Sequence, residues 1–141
     1  MARGGPIASL RSLSYKSQEF VKRELKRCQI PVNIRHLSIF YCLSRSSGEG
    51  VLFSDLLSET NQAKSSLSDI LDRYEQMGLI TRAGCDSDKR RVRIFLTAES
   101  ERYTEIFDQI GEEAVKKMTR DFNEEERKLF TELLMRADNN I

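Results

Sequence analysis

The stretch from Lys64 to Arg82, K-S-S-L-S-D-I-L-D-R-Y-E-Q-M-G-L-I-T-R, decides how the rest of the chain is read. Within it Leu67, Ile70, Leu71, Tyr74 and Met77 recur at i, i+3, i+4, i+7 and i+10, the period of a helix with one apolar face. A helix is expected over Ala63 to Met77, closed by Gly78 as the left-handed residue past its end. At about 100° per residue the apolar stripe leaves Gln62, Ser65, Asp69, Asp72 and Gln76 opposite it, with Lys64, Ser68 and Arg73 on the flanks. The first turns of this helix are therefore polar and outward-facing.

Upstream, Asn33 can cap a helix from Ile34 to about Ser44 that is apolar nearly all round, which places it at the centre of a core. After a Ser46 to Gly50 loop, Val51 to Phe53 is long enough only for a bridging strand. Ser54 is then expected to cap a short helix from Asp55 to Glu59. Thr60, Asn61 and Gln62 make a polar turn, and two helices joined so tightly suggest a helix-turn-helix. Downstream, Leu79 to Arg82 and Val92 to Thr97 read as the two strands of a hairpin whose tip, Ala83 to Arg91, is polar and basic. Thr97 caps a long helix with Glu99 and Glu101 in its first turn and a stripe of Tyr103, Ile106, Phe107, Ile110, Ala114 and Met118. Asn123 with Glu126 forms a capping-box start for a last helix carrying Leu129, Phe130, Leu133, Leu134 and Ala137. At the other end, an amphipathic helix through Ile7, Leu10, Val21, Leu25 and Cys28 is ended by Pro31. The fold class expected is mainly α with a small β-hairpin wing: a winged helix-turn-helix at about 33–97, flanked by helices at about 1–32 and 98–141, within a single 1–141 domain.

Composition narrows the function. With 141 residues, 39% hydrophobic and 32% charged, the chain has the size and make-up of one soluble domain. No run approaches the roughly 18 apolar residues of a membrane span, and no signal peptide is read at the start, so a cytoplasmic protein without a membrane partner is expected. Cys28, Cys42 and Cys85 are an odd number without metal-ligand spacing, and His36 is the only histidine, so no metal site is expected. With neither a phosphate-binding glycine loop nor a nucleophile beside a base, no enzyme activity, catalytic residue or cofactor is expected.

The net charge of +1 gives no reason to expect nucleic acid, but its distribution does. Residues 1–36 carry eight Lys/Arg against two Asp/Glu, residues 37–97 eight against eight, and residues 98–141 seven against twelve. Inside the balanced middle, Arg82, Lys89, Arg90, Arg91 and Arg93 face only Asp86 and Asp88, a local basic stripe. In a helix-turn-helix the first turns of the second helix enter the major groove, where Gln62, Lys64, Ser65, Ser66 and Ser68 are suited to base edges and phosphates. A hairpin tip with Lys89, Arg90 and Arg91 suits an adjacent minor groove, whose negative potential attracts arginine.

From about Ile30 to Ile106, and most specifically in Lys64–Arg82 followed by D-S-D-K-R-R-V-R-I-F-L-T at Asp86–Thr97, the chain resembles the MarR family of bacterial winged helix-turn-helix transcription regulators. The resemblance implies a homodimer built on the first and last helices, a palindromic operator in double-stranded DNA, usually repression, and often a small-molecule effector pocket between the two parts. Carried over by position, it implies that Arg90 is the wing arginine, that Asp88 shapes the wing, and that Arg73 lies near wing or backbone. With Arg82 from the basic stripe, these complete the DNA-contact candidates. The reading from another class is a winged-helix protein-interaction module without DNA binding, against which the intact Lys64 to Ser68 turn and the basic wing both stand.

Several residues keep a plainer reading. His36 fits a satisfied helix histidine, and Cys28 and Cys42 fit inert core positions. Cys85, in the wing beside Asp86 and near Arg82 and Lys89, fits an incidental surface thiol by default; the alternative is a redox site through which an oxidant effector would alter DNA binding. Phe40, Tyr41, Tyr15 and Phe107 fit core packing and an effector pocket equally. The basic first helix fits either a solvated face or pairing with the acidic final helices of a partner subunit, the opposite charges of the two ends favouring the second.

Overall fold

The computed structural model describes residues 4–85 and 88–141, with the side chains of all but 85 and 88–90. Helix α1 (Gly5–Arg27) leads through a 3-10 turn (Ile34–His36) into α2 (Leu37–Ser44), a two-residue strand β1 (Val51–Leu52), and the helices α3 (Phe53–Thr60) and α4 (Lys64–Gln76). Strands β2 (Ile80–Cys85) and β3 (Asp88–Leu96) follow, then α5 (Ala98–Met118) and α6 (Glu124–Asn140). The sheet is antiparallel in the order β1-β3-β2, with Val51 opposite Ile94 and Ile80 opposite Leu96. This is the mainly helical winged helix-turn-helix that the hydrophobic periodicity predicts.

The core forms where the apolar faces of α2, α4 and α5 meet the sheet. Ile39, Phe40, Leu56, Leu67, Leu71 and Ile94 are wholly inaccessible to solvent. The Phe40 ring meets Tyr74 edge-on at 5.1 Å and Phe107 at 6.2 Å, the arrangement that aromatic quadrupoles favour. Thus α2 does lie at the centre, as its all-round apolar sequence requires. Its start is as expected: Asn33 accepts from the Arg35 N–H at 2.9 Å, although one turn of 3-10 helix precedes α2.

Four local expectations need correction. Ser54 does not cap α3; Leu52 holds that position without any side-chain bond, and the helix runs Phe53–Thr60, because β1 passes straight into it and Phe53 and Leu56 supply its inner face. Thr60 belongs to the helix and not to the turn, its hydroxyl donating to the Leu56 carbonyl at 2.7 Å. The wing strands reach further than their apolar runs, to Cys85 and from Asp88, with Gly84 opposite Val92 and a register shift beyond it. Antiparallel pairing is carried by backbone groups and continues past the residues that have a core to cover. The first helix stops at Arg27, before Pro31: Gln29 adopts φ 56° and the Ile30 N–H returns to the Leu25 carbonyl at 2.9 Å.

Gly50, which precedes β1, has φ 76°, and a β-carbon there would come within 2.6 Å of the Phe95 ring. Both the left-handed backbone and the close ring require glycine. Gly50→Ala should lower the unfolding free energy by about 2 kcal/mol, measured by urea denaturation; an unchanged midpoint would show that Phe95 does not hold this turn.

Candidate nucleic-acid interface

Helix α4 buries Leu67, Leu71 and Tyr74 and leaves Lys64, Ser65, Ser66, Asp69, Asp72, Arg73 and Gln76 exposed, with Ser68 and Gln62 half-buried. The turn before it is Asn61, in the left-handed region at φ 53°, then Gln62 and Ala63. Ala63 holds the N-cap position, and its side chain cannot accept a hydrogen bond. The first intrahelical bond from this end runs from the Leu67 N–H to the Ala63 carbonyl at 2.9 Å. The N–H groups of Lys64, Ser65 and Ser66 therefore project from the helix start without a capping side chain, where the helix dipole adds partial positive charge. The absence of a Ser, Thr, Asp or Asn cap costs helix stability and leaves donors for an anion.

At its other end α4 closes as the sequence predicts. Gly78 takes φ 78°, its N–H donates to the Glu75 carbonyl at 3.0 Å, and the Leu79 N–H reaches back to Tyr74 at 2.9 Å. This turn delivers the chain into β2, so the wing starts from the last turn of α4. Arg82 on β2 folds back onto that helix, its guanidinium donating to Asp72 at 2.5 Å and to Glu75 at 2.8 Å. These ion pairs hold Arg82 above its ordinary pKa and Glu75 below the usual carboxylate range. Of the arginines expected at the interface, Arg82 is thus engaged within the chain, neutralising two carboxylates of α4 and bracing β2 against it. Sequence spacing pointed to its charge; the brace needed the three-dimensional return of the hairpin.

Arg91 is exposed on β3 and Arg93 is half-buried, on the strand face opposite Ile94. The side chains of Asp88, Lys89 and Arg90, and of the candidate redox residue Cys85, lie outside the described residues; the backbone sets Cys85 opposite Asp88 at the end of the wing. Cys42 is buried, and its thiol is pushed up to about 11 by burial and by the Glu59 carboxylate, to which its Sγ donates at 2.9 Å. Such a thiol is unreactive. His36 is satisfied, with Nδ1 2.7 Å from the Tyr74 hydroxyl.

A cavity of about 220 Å³ separates α1 from α2 and α5, lined by Val21, Leu25, Ile34, Leu37, Tyr41 and Phe107, with Ser17 and Gln18 at its polar edge. Of the four aromatic candidates for a pocket wall, the structure brings Tyr41 and Phe107 to the cavity, buries Phe40 in the core, and leaves Tyr15 exposed on α1. Among the described residues, no group of His, Cys, Asp and Glu is arranged to hold a metal ion, and no helix is long and apolar enough to cross a membrane.

A helix-turn-helix followed by a two-stranded wing, flanked by long helices at both ends, defines the class. The fold is that of the MarR regulators, and the resemblance read from the sequence is borne out at that level. The chain superposes on a crystal structure of MarR over 96% of both chains, at a TM-score of 0.78 and 24% identity. It superposes on the MepR–DNA complex of Staphylococcus aureus over 99% of this chain and 100% of that one, at 0.79 and 21%. In sequence it is 39% identical over 61 residues to the HTH-type transcriptional regulator FarR of Neisseria gonorrhoeae, a match spanning 43% of this chain and 40% of that protein. No family model matches the chain.

The Arg82 brace carries a pH signature. Because Glu75 is depressed in the folded state, its stabilisation is present above the unfolded carboxylate pKa and is lost as the pH falls through the lowered value. Both carboxylates are substantially exposed, so Arg82→Gln should cost no more than about 1 kcal/mol at neutral pH. Urea denaturation at pH 7 and pH 3 tests this: the difference between variant and wild type should shrink at the lower pH, and an equal difference at both would place the effect outside these ion pairs.

Proposed function

We propose that this chain is a MarR-family transcription regulator that binds a palindromic operator in duplex DNA as a homodimer, with repression its mode of action. The observation that carries the reading is the start of α4, where uncapped N–H groups and the exposed side chains of Lys64, Ser65 and Ser66 stand together. A helix start of this kind fits the major groove, with N–H groups and hydroxyls on phosphate and Gln62, Lys64 and the serines near base edges. The wing, carrying Lys89, Arg90 and Arg91, suits the neighbouring minor groove, with Arg90 as its reading residue, Asp88 shaping the hairpin and Arg73 near the backbone. MepR, whose fold this chain shares, is known in complex with DNA.

The dimer is supported by what the single chain leaves uncovered. Ile7, Leu10 and Tyr15 on α1 and Leu129, Leu133, Leu134 and Met135 on α6 are all exposed, and α6 has no buried residue. Two long helices with open apolar faces at the chain ends suit a second copy of the same chain. The basic first segment and acidic last one add charge complementarity to that contact. The cavity between α1, α2 and α5 has a place for a small apolar effector, whose binding would alter the spacing of the two α4 helices.

Selection of duplex DNA with the purified protein should enrich paired half-sites whose affinity falls steeply with salt. Failure to enrich any half-site, with no salt-dependent duplex binding, would leave the protein-interaction reading in its place. On the selected duplex, Arg90→Ala should weaken binding roughly tenfold with the dimer intact; full affinity would remove the wing assignment. Dimer dissociation measured by sedimentation should rise with salt if α1 and α6 pair by charge, and salt-independent association would leave apolar packing alone.

A further inference from the structure

One polar contact ties α4 to the turn before α2, and the regulator reading does not use it. The Tyr74 hydroxyl accepts from the Asn33 N–H at 3.1 Å and lies 2.7 Å from the Nδ1 of His36. Among the described residues Nδ1 is the one acceptor in reach of the Tyr74 proton, so the neutral ring satisfies that hydroxyl in the tautomer that leaves Nδ1 without hydrogen. Tyr74 is buried and His36 half-buried, with the two rings edge-on at 5.5 Å. Tyr74 lies on α4, and His36 follows Ile34 and precedes Leu37, both of which line the cavity between α1, α2 and α5.

We propose that His36 is a proton-sensitive positioning residue: its neutral ring clamps Tyr74, and protonation releases the end of α4 from the turn that roofs the cavity. The inference rests on the proposed DNA-binding role of α4. An imidazolium presents N–H to a hydroxyl already receiving one hydrogen bond, so the Tyr74 proton loses its acceptor in a buried setting. The charged groups acting on the ring are both cations, Arg73 from α4 and Arg35 from the same turn. A third positive charge beside these two pushes α4 and the turn apart. Burial first, then Arg73 and Arg35, hold the ring below the ordinary histidine pKa of 6.5. The clamp is thus complete above pH 6.5 and is lost as the pH falls through the lowered value.

Because His36 is the only histidine, its ring protons can be followed by NMR in the intact protein without assignment. The midpoint should lie below 6.5 and should rise in Tyr74→Phe, which keeps the ring and removes the donor. A midpoint of 6.5 that Tyr74→Phe leaves in place would overturn the clamp. His36→Asn keeps an acceptor near the Nδ1 position and does not titrate. On a selected duplex, between pH 7.5 and 5, wild-type affinity should fall about fivefold relative to His36→Asn, the ratio of one ordinary hydrogen bond. Parallel profiles would refute the coupling to α4 even if the NMR midpoint is low. If neither protein binds any duplex at pH 7.5, the regulator reading fails and the inference with it.

Discussion

The packing of the α4–β2 turn under the start of α5 is the constraint on which the rest of the molecule depends. Ser100 is completely buried and donates to the Leu79 carbonyl at 2.6 Å, while the Thr97 hydroxyl donates to the Gly78 carbonyl at 2.8 Å. Thr97 and Ser100 also cap α5 reciprocally, so the hydroxyls that begin the long helix also satisfy carbonyls of the turn that follows α4. Four elements converge at this point: α4 ends, β2 begins, β3 ends and α5 begins. The orientation of the wing and of α4 relative to α5 is set by a few short bonds in a buried place, where leaving one unmade would be costly.

That junction explains how an acidic α4 is compatible with the proposed nucleic-acid partner. The helix carries Asp69, Asp72 and Glu75 against Lys64 and Arg73, an unfavourable balance for a polyanion. Because the Gly78 turn sends β2 back along α4, Arg82 reaches Asp72 and Glu75 and neutralises the C-terminal half of that surface. Asp69 stays exposed nearer the start. The positive character therefore concentrates at the uncapped first turn, which is the end a groove-reading helix presents.

Most of this architecture was legible in the sequence because it follows from periodicity and from residues with one dominant local role. The α4 stripe, the Gly78 end, the Thr97 and Asn123 caps and the all-apolar α2 each express a short-range rule. What the sequence concealed depends on partners distant along the chain. Ser54 had the chemistry of a cap, but β1 runs directly into α3 and places it inside the first turn. Arg82 reads as one more interface cation until the hairpin brings it onto α4. The Ser100–Leu79 bond and the His36–Tyr74 contact carry no local signal, since their partners lie 21 and 38 residues apart. Of the candidate contact residues, the sequence named the exposed ones at the α4 start. It had no means of separating Tyr41 and Phe107, which reach the cavity, from Phe40, which does not.

The same geometry relates the cavity to α4 through a short path. Ile34 and Leu37 form part of the cavity wall, and the turn to which they belong presents both the N–H of its N-cap Asn33 and the His36 ring to Tyr74. On its inner side Tyr74 meets Phe40, which in turn meets Phe107, another wall residue. A body that moved Ile34 or Phe107 would thus press on α4 by two routes, one polar and one aromatic. The aromatic route is close-packed and yields little, because edge-on rings at these distances have no slack. The polar route has discrete alternatives, since a hydrogen bond is either made or not. Displacement of the 34–37 turn would therefore have its readiest outlet at the Tyr74 hydroxyl, which makes that bond the natural point for α4 to respond to the proposed effector.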